Sequence, residues 1–328
     1  MKFKTLGRTG VQVSMLCLGT MTFGKEADEA ASAQIYRRCR EAGIQFIDTA
    51  NVYVGGRSEE ILGQLIEGER DELIIASKFF GKVGPGVNDR GCSRRHLRQA
   101  VEESLRRLRS DRLDLYYVHQ VDPLTPIEET LRGLDDLVRA GKILYPAVSN
   151  FAAWQIVKAL GISAREHFAR FECVQPMYNL VKRQVEVELL PMAASEGLAV
   201  VPYNPLAAGL LSGKYRRGSG EGAGRIAENA QYRTRYDDPE YYETAEKFVA
   251  LCGERGWNPV AVAVAWVASH PAVTAAIIGA RNVEQLNGSL GALDFAMTPE
   301  IRAEIAALSK APPLATDRRE EQFSVRAG

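Results

Sequence analysis

Short β-branched apolar runs alternate with longer stretches of helical spacing through most of this chain, and that alternation leaves few folds open. The runs are Met15–Leu18, Gln45–Ile47, Leu73–Ala76, Leu113–Val118, Ile143–Val148, Cys173–Val174, Ala199–Pro202 and Ala275–Ile278. Between them apolar residues recur three and four apart, as at Leu97, Val101, Leu105 and Leu108, which makes one apolar helical face. Strand and helix in alternation predict βαβ units and a parallel sheet. Eight such runs in 328 residues favour an α/β fold of the (β/α)8 TIM-barrel kind over an open doubly wound sheet. The whole chain, 1–328, reads as a single barrel domain.

Helix punctuation supports the pattern. Ser93 is placed to cap the helix that carries Leu97, and Gly43 to end the first helix. Thr125–Pro126–Ile127–Glu128 offers a capping residue, then proline at the first helical position and an acid at the third, with Gly141 where that helix should stop. Asn258–Pro259 and Thr298–Pro299 repeat the signal. Two segments stand outside the alternation. Residues 3–14 read as a hairpin turning at Gly7–Arg8–Thr9–Gly10, available to close the bottom of the barrel. Residues 205–240 form a long Gly-rich, polar connection, a length that marks functional or mobile segments. No repeat of 20–50 residues is present beyond the alternation itself. The tail 309–328, with Pro312–Pro313, reads as partly disordered.

Charge and cysteine content exclude several classes. Lys and Arg number 41 and Asp and Glu also 41, with no basic cluster, so nothing favours nucleic acid or an anionic membrane as partner. The N-terminus has no apolar h-region, and the longest apolar run, Val260–Ala268, is too short for a bilayer. Cys17, Cys39, Cys92, Cys173 and Cys252 are scattered and form no CxxC pair. Reduced thiols in a cytoplasmic protein and no metal site are expected.

Barrel chemistry lies where strands end. Asp48 follows the second strand, with Tyr53 five residues on. Ser77–Lys78 follows the third, His119 the fourth and Ser149–Asn150 the fifth. Gln175, then Tyr203 and Asn204, then Gly279 and Arg281 follow the remaining three. Each has an ordinary reading: a turn-forming Asp, a rim tyrosine, a satisfied histidine. Together Asp, Tyr, Lys and His at one rim compose a proton donor. A phenol gives up its proton reluctantly at neutral pH, and a nearby ammonium should lower its pKa. An acid beside the lysine would hold that lysine charged. A histidine could hydrogen-bond an oxygen becoming an alkoxide, as in carbonyl reduction. His96, His167 and His270 fall on predicted helices or their ends and read as structural or solvated.

These residues sit in longer motifs. Phe46-Ile-Asp-Thr-Ala-Asn-Val-Tyr53 is followed by Gly55–Gly56–Arg57–Ser58–Glu59–Glu60 and Leu62–Gly63. Further on come Leu115-Tyr-Tyr-Val-His-Gln-Val-Asp122, Val148–Phe151, Tyr203–Leu206 to Gly213–Tyr215, and Ile278–Arg281 to Gln285–Leu286. In these motifs the sequence resembles the aldo-keto reductases, from Leu6 to Leu308. The resemblance implies NADPH-dependent reduction of a small-molecule aldehyde or ketone, with Tyr53 as general acid, Lys78 and Asp48 tuning it, and His119 orienting the carbonyl. It implies that Ser149, Asn150 and Gln175 hold the nicotinamide carboxamide and that Tyr203 stacks on the ring. Thr20 and Met21 would line the cofactor. The Asn204–Pro205–Leu206 to Gly209 to Lys214 stretch would follow the pyrophosphate. Gly279, Arg281, Gln285 and Ser289 would meet the adenosine phosphate, with help from Arg225. Two positions depart from the pattern: Val54 replaces the usual Gly after the tyrosine, and Gly288–Ser289 replaces Glu-Asn. NADPH is favoured over NADH because the Arg281 fork suits a 2′-phosphate.

Three other readings are open at this point. The resemblance also extends to slow-turnover, nicotinamide-sensing regulatory subunits. A strand-end lysine can serve as a Schiff-base nucleophile, although Asp48 should keep Lys78 protonated. Gly218-Ser-Gly220-Glu-Gly-Ala223 has the letters of a dinucleotide fingerprint but lacks the preceding strand, and reads as a loop. Met21, Phe23, Phe79, Phe80 and Phe151 are expected at the substrate mouth, about half of them touching ligand, an apolar lining of weak discrimination. The oligomeric state is not readable.

Overall fold

The computed structural model describes residues 1–215 and 225–316, without the side chain of Arg225. A hairpin of β1 (Phe3–Thr5) and β2 (Gln12–Ser14) precedes the parallel strands β3 (Leu16–Gly19), β4 (Phe46–Asp48), β5 (Ile74–Phe79) and β6 (Leu113–Val118). β7 (Ile143–Ser149), β8 (Cys173–Gln175), β9 (Ala199–Val200) and β10 (Ala276–Ile278) complete the set. Each strand from β3 to β9 pairs with its sequence neighbour, and β10 pairs with β3. The N–H groups of Thr274 and Ile277 donate to the carbonyls of Val200 and Pro202 at 2.8 and 2.9 Å. Those bonds join the last strand to the end of β9 and close the ring. The expected single (β/α)8 barrel is the fold.

The helices are α1 (Glu29–Glu41), α2 (Arg57–Leu65), α3 (Arg94–Leu108), α4 (Ile127–Arg139), α5 (Ala153–Glu166) and α6 (Leu189–Glu196). They continue with α7 (Arg225–Glu228), α8 (Ala230–Arg235), α9 (Pro239–Glu254), α10 (Pro259–Ala268), α11 (Val283–Leu290) and α12 (Pro299–Ala306). Ser93, Asn258 and Thr298 cap α3, α10 and α12 through their side chains. The expected Thr125 cap is not formed. Pro126 is itself the N-cap of α4, with no side-chain cap bond, so the helix starts one residue later than its signal, and the Thr125 hydroxyl donates within the preceding turn to Asp122 Oδ2 at 2.7 Å.

Strand periodicity sorts the core into two clusters. Cys17, Phe46, Ala76, Leu115, Tyr117, Ala147, Cys173, Ala199 and Ile277 point into the barrel, joined from below by Leu6 and Val13 of the hairpin. Leu18, Ile47, Ile75, Phe79, Tyr116, Val118, Val148, Val174 and Ile278 point outward against the helices. The hairpin closes the N-terminal end, as expected. Gly7 turns there with φ +54°, and a Cβ on it would stand 2.8 Å from the Glu172 carbonyl oxygen.

The connection 205–240, where described, is more ordered than a loop. It holds a 3-10 segment, Ala207–Ser212, and then α7 and α8. The Gly218–Ala223 motif lies outside the described residues, as does 317–328 of the tail. Ser309 to Pro313 line a side cavity of about 520 Å³ with Phe151, Met177, Lys182 and Tyr241. No helix among the described residues is long and apolar enough to cross a membrane.

Candidate active site

The inward register of each strand continues one step beyond the apolar floor. Two residues after Phe46 stands Asp48, two after Ala76 stands Lys78, two after Ala147 stands Ser149 and two after Cys173 stands Gln175. Tyr117 leads in the same way to His119, just past β6. Pairing of Gly19 with Asp48, Lys78 with Tyr117 and Ser149 with Gln175 keeps these ends level. The sheet itself therefore brings polar residues that are distant in sequence to one rim.

Lys78 lies at the centre, with 0% of its side chain exposed. An ammonium has three protons to donate, and here each has an acceptor: Asp48 Oδ1, the Thr49 carbonyl at 2.7 Å and the Tyr53 hydroxyl oxygen at 3.2 Å. The second Asp48 oxygen accepts from Gln175 Nε2 at 2.7 Å. Because lysine can only donate, Tyr53 accepts in this contact, and its own O–H is left to point elsewhere. The His119 ring meets the Tyr53 ring edge-on, centroids 6.1 Å apart.

Electrostatics follow from burial against this pairing. Burial is the largest influence on Lys78 and favours the neutral amine, but Asp48 and Tyr53 together outweigh it, so the ammonium is held above its usual range. Burial pushes Asp48 upward, with Lys78 and Gln175 pulling it back. For Tyr53 the expected lowering by Lys78 is present, yet burial outweighs it and the phenol stands above its ordinary pKa. The phenol is therefore fully protonated at neutral pH. Burial, with Lys78 adding to it, takes His119 down to about 3, so its imidazole is neutral there and keeps one N–H to donate.

A cavity of about 750 Å³ opens over this rim. Its wall holds Asp48, Tyr53, His119, Ser149, Asn150 and Gln175, then Met21, Tyr203, Asn204, Pro205, Leu206 and Gly209. Lys214, Gly279, Arg281, Gln285 and Ser289 complete the wall among the residues expected from the sequence. The Tyr203 hydroxyl donates to Asn150 Oδ1 at 2.8 Å, and Asn150 Nδ2 donates to the His119 carbonyl at 3.0 Å. Gly209, at φ +94°, leaves room for Lys214, whose Nζ would stand 2.8 Å from a Cβ there. At the far end Arg281 pairs with Glu228 at 3.0 Å, and its backbone N–H donates to Gln285 Oε1 at 3.1 Å.

Some expected residues fall elsewhere. Thr20 is fully buried behind the rim, bonded to the Asp48 carbonyl at 3.2 Å and to Ser58 at 2.8 Å. Thr22 reaches the cavity instead, held by a 2.7 Å bond to the Ala280 carbonyl. The reason is that the chain turns sharply after Gly19. Arg225 opens α7, and its side chain lies outside the described residues. Of the expected mouth residues, Met21 and Phe80 line the cavity. Phe23 and Phe79 are in the outer core, and Phe151 faces the side cavity.

Sequence reasoning passed over other wall residues: Val52, Gly81, Gln120, Tyr232 and Arg235. Glu59, named there only as part of a motif, is fully buried and accepts from Ser77 Oγ at 2.5 Å and Arg107 Nε at 2.7 Å. That pairing ties β5, next to Lys78, to α2 and α3. Helical spacing carried the signal, since Glu59, Leu62 and Gly63 share the inward face of α2.

A closed barrel with its polar rim and cavity at the strand C-termini defines an enzyme-type architecture, and the chain belongs to a known family. The family model described as the aldo/keto reductase family matches residues 15–310. A Bacillus subtilis (strain 168) protein named "Uncharacterized oxidoreductase YrpG" is 39% identical over 92% of this chain and 94% of its own length. A rice protein (Oryza sativa subsp. japonica) named "Probable voltage-gated potassium channel subunit beta" is 36% identical, covering 97% and 99%. The norsolorinic acid reductase of Aspergillus flavus is 32% identical, covering 90% and 78%.

Proposed function

We propose that this chain reduces aldehydes or ketones to alcohols with NADPH, using Tyr53 as the general acid. One observation carries the reading: a buried ammonium, Lys78, bonded at once to a carboxylate and to a phenol oxygen at the floor of a dinucleotide-sized cavity. The donor set fits a nicotinamide dinucleotide. Ser149, Asn150 and Gln175 offer hydroxyl and amide groups for a carboxamide, and Tyr203 offers a ring face. Lys214 and Arg281 offer cations for phosphates, and the planar Arg281 fork favours a 2′-phosphate.

A nicotinamide held by these residues would supply the hydride. Tyr53 then gives its proton to the carbonyl oxygen as negative charge develops there. Its raised pKa keeps the proton on the phenol at neutral pH, and transfer is still downhill because an alkoxide is far more basic than a phenolate. Lys78 stabilises the phenolate that remains, and Asp48 keeps Lys78 charged in its buried site. Neutral His119 holds the carbonyl oxygen in place by hydrogen bonding. The same ion pair argues against a Schiff-base role, since a protonated lysine is no nucleophile. All five cysteines are free and buried, which supports a reducing, cytoplasmic setting.

The test is an aldehyde panel assayed with NADPH and NADH side by side. Tyr53→Phe should lower kcat/KM by about 10²–10⁴. A variant that oxidises NADPH with aldehyde as fast as the parent ends the reading. Relatives named as channel β subunits favour a second one, a slow-turnover nicotinamide-sensing subunit. Rapid steady-state turnover on any aldehyde decides against that.

A further inference from the structure

We propose that Arg235 is the anion-recognising residue of the catalytic cavity, and that the carbonyl compounds taken there carry a carboxylate. This rests on the reductase reading above and narrows its substrate class.

Arg235 is the last residue of α8 and lines the cavity with Tyr203 and Tyr232. Its guanidinium lies over the Tyr232 ring, 5.0 Å from the centroid. The location is the reacting end of the cavity. Tyr232 reaches the Met21 sulfur at 4.0 Å, and it is close enough to Tyr53 and Tyr203 to push both phenols upward. The Tyr203 phenol also feels the Arg235 charge.

The cavity's other cations have partners or roles already, Lys214 and Arg281 being the ones assigned above to cofactor phosphates. Lys78 is bound to Asp48, and Arg281 to Glu228. Among the described residues Asp48 is the only carboxylate on the wall, and both its oxygens are bonded. Arg235 has no carboxylate within 4.0 Å among the described residues. An arginine over a ring face keeps its planar N–H fork open at the edge, and such a fork matches a carboxylate in two parallel bonds. The apolar Met21, Val52 and Phe80 then accept the carbon skeleton between that anion and Tyr53.

The cofactor pyrophosphate is the other source of an anion, and the experiment separates the two. The substrates are 4-carboxybenzaldehyde and its methyl ester, alike in shape and different in charge. The parent should prefer the acid. In Arg235→Gln the acid-to-ester ratio of kcat/KM should fall about 10- to 100-fold, the loss of a hydrogen-bonded charge contact. Arg235→Lys, which keeps charge without the fork, should lie between. The NADPH dissociation constant, read by quenching of protein fluorescence, should change little. Equilibrium binding of 4-(hydroxymethyl)benzoate and its methyl ester, with and without NADP+, repeats the comparison without turnover. An unchanged acid-to-ester ratio overturns the proposal, as does a ratio that holds while NADPH binding weakens, which assigns Arg235 to the pyrophosphate. If neither aldehyde is reduced but the binding ratio still falls in Arg235→Gln, the anion site stands and the reductase reading fails.

Discussion

The two ends of the barrel interior are built on the same strands, one two-residue step apart, and they obey different rules. Below, Cys17, Phe46, Ala76, Leu115 and Cys173 meet Leu6 and Val13 in a layer whose demand is volume. Above, Asp48, Lys78, Ser149 and Gln175 occupy the next inward positions, and there each donor has to find an acceptor. Backbone conformation divides in the same way. Positive φ at the lower end falls on glycines such as Gly7 and Gly197, or on the helix C-caps Arg109 and His167. At the upper end it falls on glycines too, such as Gly209, but also on Val54, Phe80, Asn150, Asn204, Ala207 and Ala208, none of them the C-cap of an α-helix. Strain tolerated at non-glycine residues gathers where function is placed, so one scaffold carries a part that packs and a part that is held for chemistry.

The sharpest way to break this contrast is Lys78→Met, which nearly keeps the volume and removes the charge. At the lower end such a change would be mild. Here it strands Asp48, and the loss should be about 3–5 kcal/mol at pH 8, read from urea unfolding. In the variant the unpaired Asp48 has its folded pKa raised above the unfolded value. Its stability is then complete at low pH and lost as pH rises through the folded pKa. The deficit against the parent should therefore shrink toward pH 5. Equal unfolding midpoints at pH 8 would show that the upper layer is held by packing alone.

The matching change below is Leu6→Ala. Leu6 is fully buried beneath the barrel floor, and its truncation should cost about 2–5 kcal/mol through lost transfer energy and a cavity. No pH dependence should accompany it, and the turnover of the molecules that remain folded should match the parent. A pH-dependent deficit would mean that the two ends are electrostatically coupled.

Much of this contrast was legible in the sequence, and the reasons are geometric. Strands alternate strictly, so once Phe46 or Ala76 faces inward, Asp48 and Lys78 must as well. The same parity sends Phe79 outward, and expecting it at the mouth neglected that rule. Thr20 was misplaced because parity ends at Gly19, where the chain leaves the strand and only Thr22 returns to the wall. Tyr232 and Arg235 were out of reach for another reason. They lie on a short helix of a long connection, and no periodic pattern ties that helix to the barrel. Thr125 illustrates the limit of local rules, since the helix starts one residue later and leaves its hydroxyl outside the capping position.

The smallest effect bears on strain at the upper end. Val54 follows Tyr53 with φ +50° and ψ +42°, where a β-branched residue is an outlier. A left-handed conformation costs an L-residue roughly 1–2 kcal/mol, and glycine is free of that cost. Glycine also raises the entropy of the unfolded chain, which opposes the gain by about 0.4–1 kcal/mol. Val54 is only half-buried, so little packing is lost. Val54→Gly should therefore raise stability by up to about 1 kcal/mol, seen as a higher urea midpoint with an unchanged slope. A clear loss of stability would mean that Val54 is held by its contacts at no conformational cost. The division between a glycine-turned lower end and a strained upper end would then weaken at the residue beside the proposed acid.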